Sequence, residues 1–305
     1  MLFEREDQSQ YMNRKLSNKH MKASAVLLCL YFIIWPVYAS GETIQETLPS
    51  HLTTNAKFHQ GEPSKPAVLI LHGFLTTFNF NTVYGIFDLL AENGYTVLAP
   101  NLTLGINKRT SGLRCEAIHT QKMEDDLSEV AWWVDWLSSR GHKEIILIGH
   151  SIGSLHLIIY ASQSPKKAVK QVIATGLTYF SQGDAHTVAV AKADTERAQK
   201  LLDAGDTEPS RYTISYCAGN FVAPPDVFLS YTRWKQDDVL RAIQKAKVAV
   251  SIILAGKDLR FADDWPDMLR KTGASVSVIK NASHFFDAEH EFELHDKIMS
   301  IIKNY

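Results

Sequence analysis

The chain has 305 residues, 45% hydrophobic and 21% charged, with a formal net charge of −1. That composition is ordinary for a globular protein and sufficient for one large core. Outside the N-terminal stretch no Lys/Arg cluster of the nucleic-acid type occurs, so the charge pattern gives no reason to expect a nucleic acid or other polyanion as partner.

The first element is an export signal. Lys19, His20 and Lys22 precede an apolar run over residues 23–38, too short for a comfortable membrane span. It ends in Val37-Tyr38-Ala39, which suits the small-residue rule for cleavage, so residues 1–39 read as a signal peptide cut after Ala39. The lead-in from Met1 to Lys19 is long and partly acidic, which makes Met12 and Met21 alternative starts. An uncleaved anchor over residues 23–39 is the other reading. Both place the folded part outside the cytoplasm, and cleavage would leave no membrane span.

Residues 40–62 are polar and weakly patterned, and read as an N-terminal arm with room for a short strand. One domain is expected over 63–305. Ala67–Leu71 is a strand candidate leading into His72-Gly73-Phe74. Val83 to Asn93 is helical, with Gly94 placed to end it, and Tyr95–Ala99 is a strand stopped by Pro100. Asp125 to Ser139 is helical, with Leu127, Val130, Val134 and Leu137 on one face and Gly141 as terminator. Trp132, Trp133 and Trp136 on this helix read as core packing against a sheet rather than as a sugar- or membrane-contacting patch. Glu144–Ile148 is a strand and Gly153–Gln163 a helix; further strands are expected at Gln171–Ala174, Val248–Leu254 and Ser275–Ile279, and a closing helix at Glu289–Ile302.

These strands are apolar throughout, as strands buried on both faces are. Alternating with helices, they imply an α/β architecture, a mostly parallel sheet flanked by helices on both faces. The segment from about 177 to 246 lies between two strands and is too long for a bare loop. Its aromatics (Tyr179, Phe180, Tyr212, Tyr216, Phe221, Phe228, Tyr231, Trp234) suggest a mainly helical cap over the sheet edge.

The strand at 144–148 runs into Gly149-His150-Ser151-Ile152-Gly153 and then into a helix. A tight strand-to-helix turn forces strained dihedrals on its middle residue, and the flanking glycines permit close backbone approach that a Cβ would block. The Ser151 hydroxyl is thereby held beyond the strand end, at a helix N-terminus whose positive dipole end favours an oxyanion.

With this G-x-S-x-G between a strand and a helix, the sequence resembles the α/β-hydrolase family over about Ala67 to Tyr305. The resemblance implies catalytic partners in the order Ser, acid, His. Val248–Leu254 is followed at once by Ala-Gly-Lys-Asp258, and Val276–Ile279 by Lys-Asn-Ala-Ser-His284. The expected catalytic residues are therefore Ser151 as nucleophile, His284 as base and Asp258 as the acid that orients it. Asp263 and Asp264 are rivals for the acid, and His290 and His295 weaker rivals for the base. The Ile152 backbone N–H, just after the nucleophile, would give one oxyanion donor; by resemblance Phe74 would give the second, with Leu75 as alternative. His72 and His150 read as packed, structural histidines.

Two cysteines, Cys115 and Cys217, remain after signal cleavage. They could pair in an oxidising compartment, but separate thiols are the preferred reading. Neither has metal-ligand spacing. His290 and His295 are five apart, which sets their rings about 140° apart around a helix and does not make a zincin pair. His119 opens the long helix and is a secondary candidate for lining a pocket. No phosphate or dinucleotide glycine pattern occurs, so neither metal nor cofactor is expected. Sequons stand at Asn101 and Asn281, the second three residues before His284. A glycan there would crowd the site, which favours an unmodified Asn281 or a bacterial exported protein.

The resemblance implies a serine hydrolase that forms an acyl-enzyme from a small-molecule or lipid-like acyl substrate, with carboxylic esters as the leading class. Thioesterase, lysophospholipase, amidase or peptidase activity uses the same machinery. A non-catalytic binding protein on the same fold is the reading from a different class.

Overall fold

The computed structural model describes residues 41–180, 185–260 and 262–304. The expected signal peptide lies outside the described residues. In chain order the elements are β1 (Glu42–Thr47), β2 (Thr53–His59), β3 (Ala67–Leu71), α1 (Asn81–Glu92), β4 (Thr96–Pro100), α2 (Met123–Ser139), β5 (Ile145–His150), α3 (Ile152–Ser162) and β6 (Val169–Thr175). The second half adds α4 (Ala185–Asp203), β7 (Ser210–Ile214), β8 (Cys217–Ala223), α5 (Pro225–Thr232), α6 (Gln236–Lys245), β9 (Ala249–Ala255), α7 (Trp265–Arg270), β10 (Ser275–Ile279) and α8 (His290–Lys303).

Eight strands form one sheet in the order β1-β2-β4-β3-β5-β6-β9-β10. β4, β3, β5, β6, β9 and β10 run parallel, while β2 pairs antiparallel with β4 and β1 antiparallel with β2 at one edge. The central strands are apolar at nearly every position because both faces are covered. Alternation along them sorts side chains to two separate cores. Val68, Ile70, Ile146 and Ile148 join Ile86, Leu90, Leu294 and Ile298 from α1 and α8. Leu69, Leu71, Leu147 and Val172 join Val130, Val134, Leu155 and Ile158 from α2 and α3. Helix α3 is apolar nearly all round because it is enclosed: every residue from Ile152 to Ala161 is buried.

Two differences from the sequence reading concern the chain ends of this core. Residues 40–62 are not an arm beside the domain but supply β1 and β2 of its sheet. Their amphipathic pattern is weak because β1 is the edge strand and largely exposed, while β2 buries Thr54, Asn55 and Lys57 through specific partners. Lys57 reaches Asp88 at 3.0 Å and lies over the Tyr84 ring at 3.8 Å. The segment 177–246 contains helices, as expected, but also the two-stranded hairpin β7–β8. Of the tryptophan cluster, Trp133 and Trp136 are buried in the α2 core and Trp132 is half-buried.

The cysteines are not separate thiols: Cys115 and Cys217 are joined by a disulfide with a Cα–Cα distance of 5.7 Å. The loop 115–119 runs along β8, with the Val222 N–H donating to the Cys115 carbonyl (3.2 Å) and the His119 N–H to the Val222 carbonyl (2.8 Å). That pairing brings two residues 102 apart in sequence into bridging range. Among the described residues no helix is long and apolar enough to cross a membrane.

Candidate active site

Ser151 sits between β5 and α3 with φ 57° and ψ −125°, a region that non-glycine residues rarely occupy. The turn can be this sharp because its neighbours lack a Cβ. A Cβ on Gly149 would lie 2.5 Å from the backbone of Ser154, and one on Gly153 would lie 2.4 Å from the His72 carbonyl oxygen. The turn is pinned from the next strand: the Ser151 N–H donates to the Thr175 carbonyl at 2.8 Å, and the Thr175 and Ser154 hydroxyls both donate to the Gly149 carbonyl.

The exits of β9 and β10 deliver the other two groups. Gly256 N–H bonds the Ile279 carbonyl and Lys257 N–H the Ala282 carbonyl, both at 2.9 Å, so the two loops leave the sheet side by side. From them Asp258 and His284 converge on Ser151. His284 Nε2 is 2.9 Å from Ser151 Oγ, and His284 Nδ1 is 2.5 Å from Asp258 Oδ2. With the proton on Nδ1 donated to the carboxylate, Nε2 accepts from the hydroxyl. All three residues are buried or nearly so. Burial lowers the His284 pKa below its ordinary value, against Asp258, which raises it. The rivals are elsewhere: Asp263 and Asp264 are exposed, and His295 lies on α8 at 3.9 Å from Glu291.

The loop after β3 packs on Ser151, a Cβ at Gly73 falling 3.2 Å from Ser151 Cβ. Among the described residues the backbone N–H groups of Phe74 and Ile152 make no loop, cap or side-chain hydrogen bond. Leu75, the alternative donor, has a left-handed φ of 55°. His72 is buried beneath this loop. Its Nε2 accepts from the Leu102 N–H (3.1 Å) and lies 3.2 Å from an Arg109 nitrogen, which leaves Nδ1 to donate to the Gly73 carbonyl (2.8 Å). Burial, then the Arg109 charge, lower its pKa to about 3, so it stays neutral. His150 is also buried, stacked on Phe80, with its pKa well below the ordinary value through desolvation first and the neighbouring His284 next.

Sequence reasoning did not single out Arg109, Phe80, Phe285 or Arg260, and named Tyr216 only among the aromatics of the expected cap. Arg109 is buried and donates to the carbonyls of Leu102, Thr76 and Ser111, tying the loop beyond Phe74 to the sheet. The other four line a cleft of about 340 Å³ with Gly73, Phe74, His150, Ser151 and His284. Phe285 and Arg260 stand next to, or two residues from, His284 and Asp258, a positional signal that was available. Tyr216 offered none, because it depends on the hairpin turn that brings its hydroxyl to the Phe74 carbonyl at 3.2 Å. His119 lines a different, smaller cavity behind Phe74, stacked on Phe221. Among the described residues no cluster of side chains suited to a metal ion occurs.

A family model described as the alpha/beta hydrolase fold matches residues 66–209. The chain has the α/β-hydrolase fold. A search by sequence among curated proteins returned no match. Several solved structures share the α/β-hydrolase fold with it. Est1E from Butyrivibrio proteoclasticus superposes with a TM-score of 0.60 at 15% identity, covering 87% of this chain and all of its own. An esterase from Pyrococcus furiosus gives 0.59 at 13%, covering 88% of this chain and 92% of its own. The α/β hydrolase GrgF from Penicillium sp. gives 0.65 at 14%, covering 86% and 98%. At these identities the likeness is one of fold.

Proposed function

We propose that this α/β-hydrolase-fold protein is a serine hydrolase that cleaves carboxylic esters through an acyl-enzyme. The observation that carries the reading is the chain of contacts from Asp258 Oδ2 to His284 Nδ1 and from His284 Nε2 to Ser151 Oγ, at 2.5 and 2.9 Å. In that geometry His284 Nε2 takes the hydroxyl proton as Oγ attacks the ester carbonyl. The carbonyl π electrons move to oxygen, where the N–H groups of Phe74 and Ile152 at the start of α3 meet the charge. The tetrahedral species collapses, the carbon–oxygen bond to the leaving group breaks, and imidazolium returns the proton to the departing alkoxide. Water, deprotonated by the same nitrogen, attacks the acyl-serine and frees the acid. Asp258 keeps the imidazole in the required tautomer and stabilises its cation.

The apolar part of the cleft, from Phe74, Phe80 and Phe285, suits an apolar acyl or alcohol group. Esters lead because one structural neighbour is an esterase by name and another a monoacylglycerol lipase; a further one is a thioesterase domain from the curacin pathway, so a thioester is the second substrate class. The segment 177–246 serves as the cap, since its Ser215 and Tyr216 form one wall of the cleft. The disulfide suits an exported protein, because such bonds persist in oxidising compartments.

The test is labelling with a fluorophosphonate probe alongside turnover of p-nitrophenyl esters of graded acyl length, a thioester and an anilide. Covalent modification at Ser151 and ester hydrolysis that S151A abolishes are expected. Folded protein that takes no label and turns over none of these substrates would make it a binding protein on a hydrolase fold.

A further inference from the structure

The cleft that holds Ser151 has one charged side chain in its walls besides the buried machinery, Arg260. Its guanidinium lies on the His284 side of the cleft, 5.3 Å from the Phe285 ring centre. Its nearest carboxylate among the described residues is that of Asp258, with Nε at 3.8 Å from Oδ1, beyond hydrogen-bond range. That carboxylate is already engaged. Oδ2 receives the His284 Nδ1–H, and Oδ1 receives the Arg260 backbone N–H at 3.2 Å. None of the five guanidinium N–H donors makes a hydrogen bond to a described side chain or carbonyl. The side chain is nevertheless only 40% exposed, and burial lowers its pKa despite the attraction of Asp258. A planar fork of donors, partly stripped of water and held only by a long ion pair to Asp258 with no hydrogen bond to a described group, matches a carboxylate or phosphate oxygen pair.

Its place in the cleft fixes which end of the substrate meets it. Arg260 stands by Asp258 and Phe285, the bonded partner and the chain neighbour of the imidazole that hands its proton to the leaving oxygen, whereas Tyr216 is bonded to the Phe74 carbonyl of the oxyanion loop. Resting on the serine-hydrolase reading above, we infer that Arg260 selects esters whose leaving alcohol carries an anionic group, a carboxylate above all. Asp258 competes poorly with that anion for the guanidinium because its oxygens are turned to His284 and to the backbone.

The experiment compares 4-acetoxybenzoate with its neutral amide analogue, 4-acetoxybenzamide, on the wild type, R260Q and R260K, following phenol release. The acyl group is the same in both, so a difference reports on the leaving side. For the wild type kcat/KM is expected to favour the carboxylate by about tenfold, as a charge-assisted fork contact at a half-exposed site allows. The preference should shrink in high salt. R260Q should erase it while leaving the amide within about threefold of wild type, and R260K should keep part of it. Equal kcat/KM for the two esters on the wild type would overturn the inference. So would an R260Q loss that falls equally on both esters and shifts the acid limb of the pH profile, since Arg260 would then be tuning Asp258 and His284 rather than holding substrate. Turnover of the amide without the preference sinks this inference alone. An enzyme inert on both esters and unlabelled by fluorophosphonate sinks the hydrolase reading along with it.

Discussion

The two ends of the site are made in different ways. At the sheet edge, Ser151 and Asp258 stand just past the buried strands β5 and β9 and His284 past the edge strand β10, and each position is set by hydrogen bonds between neighbouring strands and their loops. In the segment over that edge, the cleft wall depends on Tyr216 at the tip of the β7–β8 hairpin. That tip is fixed by a disulfide to a loop about a hundred residues away in the chain and by the Tyr216 hydroxyl on the Phe74 carbonyl. The first region is rigid because a central sheet strand cannot shift without breaking its ladders. The second borrows its order from a few long-range ties. Chemistry should therefore be insensitive to small changes in the cap, and substrate fit should be sensitive to them.

The largest effect belongs to the sheet edge. Ser151→Ala should lower kcat by roughly 10³ to 10⁶ with the thermal midpoint unchanged, read by ester turnover and calorimetry. A loss under tenfold would mean that another nucleophile is at work. Next comes the tie that orders the hairpin. Cys115→Ser with Cys217→Ser should cost about 2–5 kcal/mol in a denaturant melt, while fluorophosphonate labelling of Ser151 in the native protein persists. If labelling disappears with the bond, the two regions are not separable in this way. Gly153→Ala tests the elbow itself. Its new Cβ would press into the carbonyl oxygens of His72 and Leu71, at 2.4 and 2.5 Å, for a loss of up to about 3 kcal/mol.

The seam between the regions gives a smaller effect. Tyr231 Oη, from α5, lies 2.8 Å from the buried Asp126 carboxylate and 3.1 Å from the Gln121 carbonyl on the α2 side. Tyr231→Phe should cost about 1.5–3 kcal/mol of stability, with esterase kcat nearly unaffected. The subtlest test is the pH profile. The base must be neutral to accept the serine proton, and burial lowers the His284 pKa. Activity should hold through neutrality and fall only as pH drops below about 6.5, the ordinary imidazole value. An acid limb centred above pH 7 would contradict the buried geometry.

Much of this was legible before any coordinates. Parallel strands buried on both faces announce themselves as unbroken apolar runs, and the strand expected at 67–71 matches β3; the strand expected at 275–279 matches β10, whose alternating Val and Ser suit an edge strand. The elbow was legible because two glycines around a serine make sense only where a Cβ would collide. Other features were not. β2 buries Thr54, Asn55 and Lys57, so its sequence looks like a solvated arm, and only its pairing with β4 makes it a sheet strand. Arg109 lies in a polar loop stretch, and nothing local says that its guanidinium ends on the Leu102, Thr76 and Ser111 carbonyls.

By itself, then, the sequence determined the alternation of strands and helices, the strained turn at Ser151, and an acid and a histidine following the later strands at Asp258 and His284. Those are consequences of local sterics and of a two-residue or 3.6-residue period, which need no partner to be read. Only the tertiary structure decided that Cys115 meets Cys217, that the 215–216 turn reaches the Phe74 loop, and that Arg260 lines the cleft at Ser151 beside Asp258. Such contacts join residues distant in the chain, and their geometry exists only once the intervening elements have packed.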